Sequence, residues 1–182
     1  MSAERFRKEK MFLILVYGIV FLLSFYIDSY AESVFKILRS PLLDFLMAVF
    51  SSYLIVGAAV LIYLILFFRR KERKAANRML TGFLLTFIAS FLIKMLVARV
   101  RPSGIAFIPL LNIPDFSFPS MHSALAFSTL PVVERHFKKI RGWWMLGCFL
   151  VMISRLYFGV HYLSDVVGGM LLGLVVGSIF SK

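Results

Sequence analysis

Apolar residues in this chain come in long stretches interrupted by few polar ones. They do not alternate with polar ones as in a half-buried strand, nor recur every third or fourth place as on a surface helix. Six stretches have this character: Met11–Ile27, Leu42–Phe68, Met79–Ala98, Ser120–Val133, Trp143–Tyr157 and Leu163–Phe180. Each predicts a membrane helix, because lipid offers no partner for an open backbone. The fourth is the weakest, since Glu134 follows after fourteen residues. It is expected to start below the outer surface and to continue past the inner one as Glu134–Lys139.

Two connecting segments depart from a plain polar loop. In Asp28–Ser40, Ala31, Val34, Phe35 and Leu38 fall at i, i+3, i+4 and i+7, opposite Glu32, Ser33, Lys36 and Arg39. That spacing predicts a short amphipathic helix, either lying on the outer membrane surface or serving as an ordinary connector. Ser103–Phe118 mixes Gly and Pro with Ile105, Phe107, Ile108, Leu110, Leu111, Phe116 and Phe118. A loop this apolar should dip into the lipid boundary or cover a site. In the last stretch Gly169, Gly173 and Gly177 recur every four residues beside Gly168, a spacing that lets another helix approach closely, within the chain or between chains.

Composition agrees with an all-α integral membrane bundle of six transmembrane helices with a short interfacial helix, in a single domain over residues 1–182. The chain is 60% hydrophobic, too apolar for a soluble domain of 182 residues. Its net charge of +12 could suggest nucleic acid. The cations instead cluster in short runs between apolar stretches, so no nucleic-acid partner is expected and anionic lipid headgroups are. Cys148 is alone, which excludes an internal disulfide and a cysteine metal site.

The charge runs also orient the chain. Of its 21 Lys and Arg, 15 lie in the N-terminal segment (Arg5, Arg7, Lys8, Lys10), in Arg69–Arg78, in Arg135–Arg141 and at Lys182. The positive-inside rule puts these in the cytoplasm, with both termini, and an even number of helices follows. A cleavable signal would also begin with cations before an apolar run, and Ser29-Tyr30-Ala31 resembles a cleavage site. The run is long for that, and its loss would break the helix parity, so a retained first helix is the reading here. The other side holds Lys36, Arg39, Lys94, Arg99, Arg101 and Arg155.

Three clusters of chemistry-bearing residues fall on that outer side. They are Lys94, six residues, then Arg101-Pro102; Pro119-Ser120-Met121-His122; and Ser154-Arg155, five residues, His161, three residues, Asp165. On a continuous helix Lys94 and Arg101 would share one face, two turns apart, with Pro102 ending it. Ser120 opens a helix, whose free N–H groups can bind phosphate oxygens. His161 and Asp165, four apart, can share a face if the helix has begun, so that the carboxylate bonds the ring directly. Each feature has a plain alternative: a snorkelling Lys94, interfacial Arg99 and Arg101, Ser120 as an N-cap, a structural His161–Asp165 cap. Arg155 is harder to explain away, since an arginine inside an apolar helix is expensive. Trp143, Trp144, Tyr157 and Tyr162 read as interfacial belt residues.

The three clusters resemble the signature of the type-2 phosphatidic acid phosphatase superfamily, with all ten fixed positions present between Lys94 and Asp165. Met121 departs from it, standing where the family usually has glycine, so added bulk is expected to narrow the phosphate pocket or alter substrate choice. The resemblance implies His161 as nucleophile forming a phosphohistidine, Asp165 as its orienting partner, and His122 as the acid that protonates the leaving oxygen. It implies Lys94, Arg101, Ser120, Arg155 and the Met121 N–H as phosphate ligands. Ser154 would contact phosphate or bond within its helix, and Arg99 would bind a second phosphate or a headgroup, or simply anchor the interface.

The function this implies is metal-independent and cofactor-free hydrolysis of a phosphate or diphosphate from a membrane lipid at the outer face of a bacterial cytoplasmic membrane. Candidate substrates are lipid A 1-phosphate, undecaprenyl diphosphate and phosphatidylglycerol phosphate. The alternatives are a lipid phosphotransferase with the same histidine chemistry, and a non-catalytic phospholipid-binding or transport protein.

Overall fold

The computed structural model describes residues 3–104, 106–108 and 113–181. Ile105, Leu110 and Leu111 of the apolar loop and Lys182 of the charge count lie outside the described residues. Among the described residues eight helices carry the fold: α1 Ala3–Tyr26, α2 Asp28–Ile37, α3 Pro41–Ser51, α4 Tyr53–Arg69, α5 Arg73–Val97, α6 Met121–His136, α7 Arg141–Tyr157 and α8 Leu163–Phe180. A two-residue antiparallel pair, β1 Phe107–Ile108 with β2 Ile113–Pro114, lies between α5 and α6.

All six apolar stretches are helical, but the second is broken. Ser52 takes extended backbone, and α3 and α4 meet at a 46° bend. Each half has its own cap. Ser40 Oγ accepts from Leu43 N at 3.4 Å, with Pro41 at the first helical position, and Ser52 Oγ accepts from Leu54 N at 3.1 Å. Hydropathy misses the break because it scores apolarity, and both halves are apolar.

The predicted helical register of Lys94 and Arg101 does not hold either. α5 ends at Val97, with Ala98 in the left-handed region at φ 50°. Arg101 therefore stands on the following loop, and Pro102 is not what stops the helix. α2 does form, at 66° to the end of α1, and Phe35 packs against the core.

α6 is the central helix, buried on all sides from Met121 to Leu130. Its hydroxyls are satisfied inside the helix, Ser128 donating to Leu125 O (2.8 Å) and Thr129 to Ala126 O (2.7 Å), so polar residues can sit in an apolar interior. The α8 glycines lie against it. A Cβ on Gly169, Gly173 or Gly177 would meet the carbonyl oxygens of Ser120, Ala124 and Ser128 in turn. The small-residue stripe is therefore an internal α6–α8 seam, which brings the start of α8 beside the start of α6.

Around this centre, large apolar side chains such as Leu61, Ile62, Leu84, Leu85, Phe87 and Ile88 face outward. A shell of that kind is solvated by lipid. By length and apolarity, among the described residues, α5 and α8 qualify as single straight spans, and two bent pairs raise the number to four. α6 and α7, at 16 and 17 residues, fall just short of that length. Of the expected belt aromatics only Trp143 is strongly exposed. Trp144 donates to Thr129 Oγ1 (2.9 Å), and the buried Tyr157 donates to Asp44 Oδ1 (2.8 Å).

Candidate active site

The three sequence clusters converge at one end of the α5–α8 core. Lys94 comes from the last turn of α5, His122 from the first turn of α6, Arg155 from the last turn of α7, and Asp165 from the first turn of α8. Arg101 and His161 come from loops. Lys94, Arg101, Ser120, His122, Ser154, His161 and Asp165 are all buried.

His161 is the centre of the arrangement. Its Nε2 lies 3.3 Å from an Arg101 guanidinium nitrogen. Its Nδ1 faces Asp165, but the distance to Oδ2 is 3.7 Å, too long for the direct hydrogen bond expected from sequence. The reason is local. α8 begins at Leu163, so His161 precedes the helix and the i, i+4 geometry does not apply. Ser117 fills the gap. Its hydroxyl donates to Asp165 Oδ2 and lies 3.5 Å from His161 Nδ1. Tyr162 N also donates to Oδ2, at 2.7 Å.

The other oxygen of Asp165 belongs to Arg99. One Arg99 nitrogen donates to Asp165 Oδ1 (2.8 Å) and to Ser164 Oγ (2.6 Å), and the other donates to Asp28 Oδ2 (2.8 Å). Asp28, the buried first residue of α2, accepts from Ser164 N (2.8 Å) and Ser164 Oγ (2.6 Å). The guanidinium lies over the Tyr162 ring at 4.1 Å. A carboxylate with no exposed surface requires a counter-charge, and Arg99 supplies it to both Asp165 and Asp28.

The loop before α6 adds a second acid. Asp115 accepts from Lys94 Nζ (3.1 Å, Oδ1) and from Arg101 (2.6 Å, Oδ2), while Arg101 Nε donates to Asp115 O at 2.7 Å. Lys94 also donates to Phe116 O, and Arg101 to Val160 O at 2.9 Å. Burial pushes the Asp115 carboxyl up, but Lys94 and Arg101 outweigh this and hold it below its usual range. His161 is held neutral. Its burial, with Arg101, Lys94 and Arg155 nearby, lowers its pKa well below the ordinary value against the opposing pull of Asp115.

On the far side, His122 stacks on Tyr53 with ring centres 3.6 Å apart, within electrostatic reach of His161, Arg155, Arg101 and Lys94. Arg155 donates to Ser51 Oγ and, at 3.3 Å, to Ser51 O. His122 Nε2 and Arg155 Nε are buried with no hydrogen-bond partner among the described residues. Helix geometry leaves the first N–H groups of α6, from Met121 onward, without intrahelical partners. The Met121 side chain joins the buried apolar cluster. Ser120 Oγ accepts from Ser123 Oγ at 3.2 Å, and Ser154 Oγ donates to Val151 O at 2.7 Å, within its own helix.

Sequence reasoning missed Asp28, Tyr53, Ser51, Asp115 and Ser117. Asp115 and Ser117 had a signal available, as polar residues inside an otherwise apolar outer loop just before Pro119-Ser120. Asp28, Ser51 and Tyr53 had none, since only folding brings them near the motifs. Among the described residues no group of three His, Cys, Asp or Glu side chains is placed to hold a metal ion.

Comparison with known proteins follows the same outline. Phosphatidylglycerophosphatase B of Bacillus subtilis is 38% identical over 95 residues, 46% of this chain and 45% of that protein. An undecaprenyl-diphosphatase of Sulfolobus acidocaldarius is 34% identical over 116 residues, 60% and 55% of the two chains. The matched part spans about half the length of these curated relatives. The crystal structure of a transmembrane PAP2-type phosphatidylglycerolphosphate phosphatase from Bacillus subtilis superposes with TM-score 0.67 at 28% identity, covering 91% of this chain and 92% of the other. The profile of the PAP2 superfamily matches residues 75–182, which hold every signature position from Lys94 to Asp165, and the chain belongs to that superfamily.

Proposed function

We propose that this protein hydrolyses a phosphate or diphosphate group from a membrane lipid through a phosphohistidine at His161. The observation that carries the reading is the two-sided setting of the His161 ring. Nδ1 is backed by Ser117 and Asp165, and Nε2 lies beside Arg101. With its proton on Nδ1 facing the Ser117 oxygen, the neutral ring presents the Nε2 lone pair to phosphorus.

In the first step a bond forms from Nε2 to phosphorus and the bond to the lipid oxygen breaks. His122 gives that oxygen its proton. Positive charge that develops on the imidazole is stabilised by Asp165 through the Ser117 hydroxyl, with the proton staying on Nδ1. In the second step His122 takes a proton from water, the oxygen attacks phosphorus, and the phosphorus–Nε2 bond breaks to release inorganic phosphate. Lys94, Arg101, Arg155 and the N–H groups at the start of α6 offset charge on the non-bridging oxygens. The Asp115 and Asp165 oxygens are engaged by cations and hydrogen-bond donors, which supports a reaction run by fixed cations without a metal.

Relatives named for phosphatidylglycerophosphate and undecaprenyl diphosphate support lipid phosphates as the substrate class. Six spans, with both termini in the cytoplasm and the site on the outer face of a bacterial cytoplasmic membrane, fit the Lys/Arg distribution, and one domain over 1–182 fits the continuous bundle. The test is phosphate release by purified protein in detergent with chelator present, across phosphatidic acid, phosphatidylglycerol phosphate, undecaprenyl diphosphate and lipid A 1-phosphate. Release that His161→Ala abolishes is expected. Activity lost to chelator and restored by magnesium would overturn the metal-free step. Release only on adding a second acceptor would move the assignment to a phosphotransferase.

A further inference from the structure

An apolar recess in the bundle lies about one helical turn from the residues of the candidate active site. It is a cavity of about 250 Å³ between α3, α4, α6 and α7. Each wall continues downward from a residue of the site. On α6, Ala126 and Thr129 lie four and seven residues beyond His122, on the same face. On α7, Val151, Cys148 and Trp144 lie four, seven and eleven residues before Arg155, again on one face. On α3, Phe50 adjoins Ser51, the partner of Arg155, and on α4 Val56 follows one turn after Tyr53, the ring stacked on His122.

The polar groups of Thr129, Trp144 and Cys148 in this wall are already engaged with one another or with backbone. Thr129 Oγ1 donates to Ala126 O and accepts from Trp144 Nε1, and Cys148 Sγ donates to Ala126 O at 3.4 Å. At a rise of about 1.5 Å per residue, the recess reaches roughly 10 to 16 Å from His122 and Arg155 toward the opposite membrane face.

The geometry points to this recess as the site for one hydrocarbon chain of the substrate lipid, with its phosphate held at His122 and Arg155. This rests on the phosphatase reading and adds to it a determinant of chain selectivity. Acyl and prenyl chains share the chemistry that the wall recognises. Gly147 is the position at which to probe it. It lines the cavity, and a Cβ there meets no atom within 4 Å, so a larger side chain would occupy the recess without displacing the core.

The experiment uses full-length Gly147→Leu beside the unmodified protein. kcat/KM is measured for dihexanoyl and dipalmitoyl phosphatidic acid and for farnesyl diphosphate. The ratio of the dipalmitoyl to the dihexanoyl value is expected to fall about tenfold or more through KM, because several methylenes lose buried surface. A fall for farnesyl diphosphate alone would identify the chain as prenyl. An unchanged set of ratios would overturn the proposal. Trp144 gives a readout that needs no turnover. In a Trp143→Phe background, a non-hydrolysable lipid phosphonate brominated along its chain should quench Trp144 fluorescence, and Gly147→Leu should relieve the quenching. Quenching without turnover would keep the chain site and sink the phosphatase reading. Turnover without quenching would do the reverse.

Discussion

The two sides of His161 are built differently. On the Asp165 side each carboxylate oxygen has a partner inside the protein. Asp165 is held by Ser117, Tyr162 N and Arg99, Arg99 by Asp28 and Ser164, and Asp28 by Ser164 again. On the His122 side, His122 Nε2 and Arg155 Nε are buried without partners among the described residues. In the proposed reaction the first side is complete before substrate arrives, while the second keeps groups that a phosphate would complete. A nucleophile must be aimed in advance, whereas a phosphate-binding surface must keep unspent hydrogen bonds.

This contrast can be broken or sharpened by substitution. The largest effect is expected from His122→Ala, which should cut kcat by about 10²- to 10⁴-fold for a lipid alcohol leaving group. A leaving group that needs no proton, as in p-nitrophenyl phosphate, should lose much less. Equal losses with both substrates would remove His122 from the role of general acid.

Asp28→Asn comes next. It leaves Arg99 with one carboxylate instead of two, and a lower kcat by about 10-fold with little change in KM is expected, as when support behind an active group is lost. Partial recovery in Asp28→Glu would mark the effect as positional. A Tm drop with unchanged kcat would instead assign Asp28 to stability alone.

Asp115 should behave in the opposite sense. Its carboxylate competes with phosphate for Lys94 and Arg101, so Asp115→Asn should tighten competitive inhibition by inorganic phosphate by about 5- to 10-fold. Weaker inhibition would mean that Asp115 chiefly positions the two cations.

The smallest effect concerns acid stability. The folded pKa of His161 lies well below that of the unfolded chain. Below about pH 6.5 the unfolded chain binds a proton that the folded one refuses, so stability falls as pH drops from there toward the folded pKa. A thermal-unfolding series from pH 7 to 5 should be flatter for His161→Asn than for the unmodified protein. A parallel pair of curves would contradict a buried neutral ring.

Much of this protein could be read before folding it. Apolar stretches located α1 and α3 to α8, with α3 and α4 run together, because a helix inside a membrane must be apolar over most of its length. The ten signature positions could be read as well, since cations and histidines stand out in helices that otherwise exclude them. The glycine spacing declared a close helix approach but not its partner, which the structure identifies as α6.

Tertiary structure alone decided the rest. The break at Ser52 and the end of α5 at Ala98 are matters of backbone geometry, to which hydropathy is blind. The expected His161–Asp165 bond became a contact through Ser117, because α8 starts two residues too late for the helical register. Asp28 reaches Arg99 and Ser164 across 71 and 136 residues of chain. A pairing at that distance leaves no periodicity in the sequence, and only the packing of α2 over the start of α8 creates it.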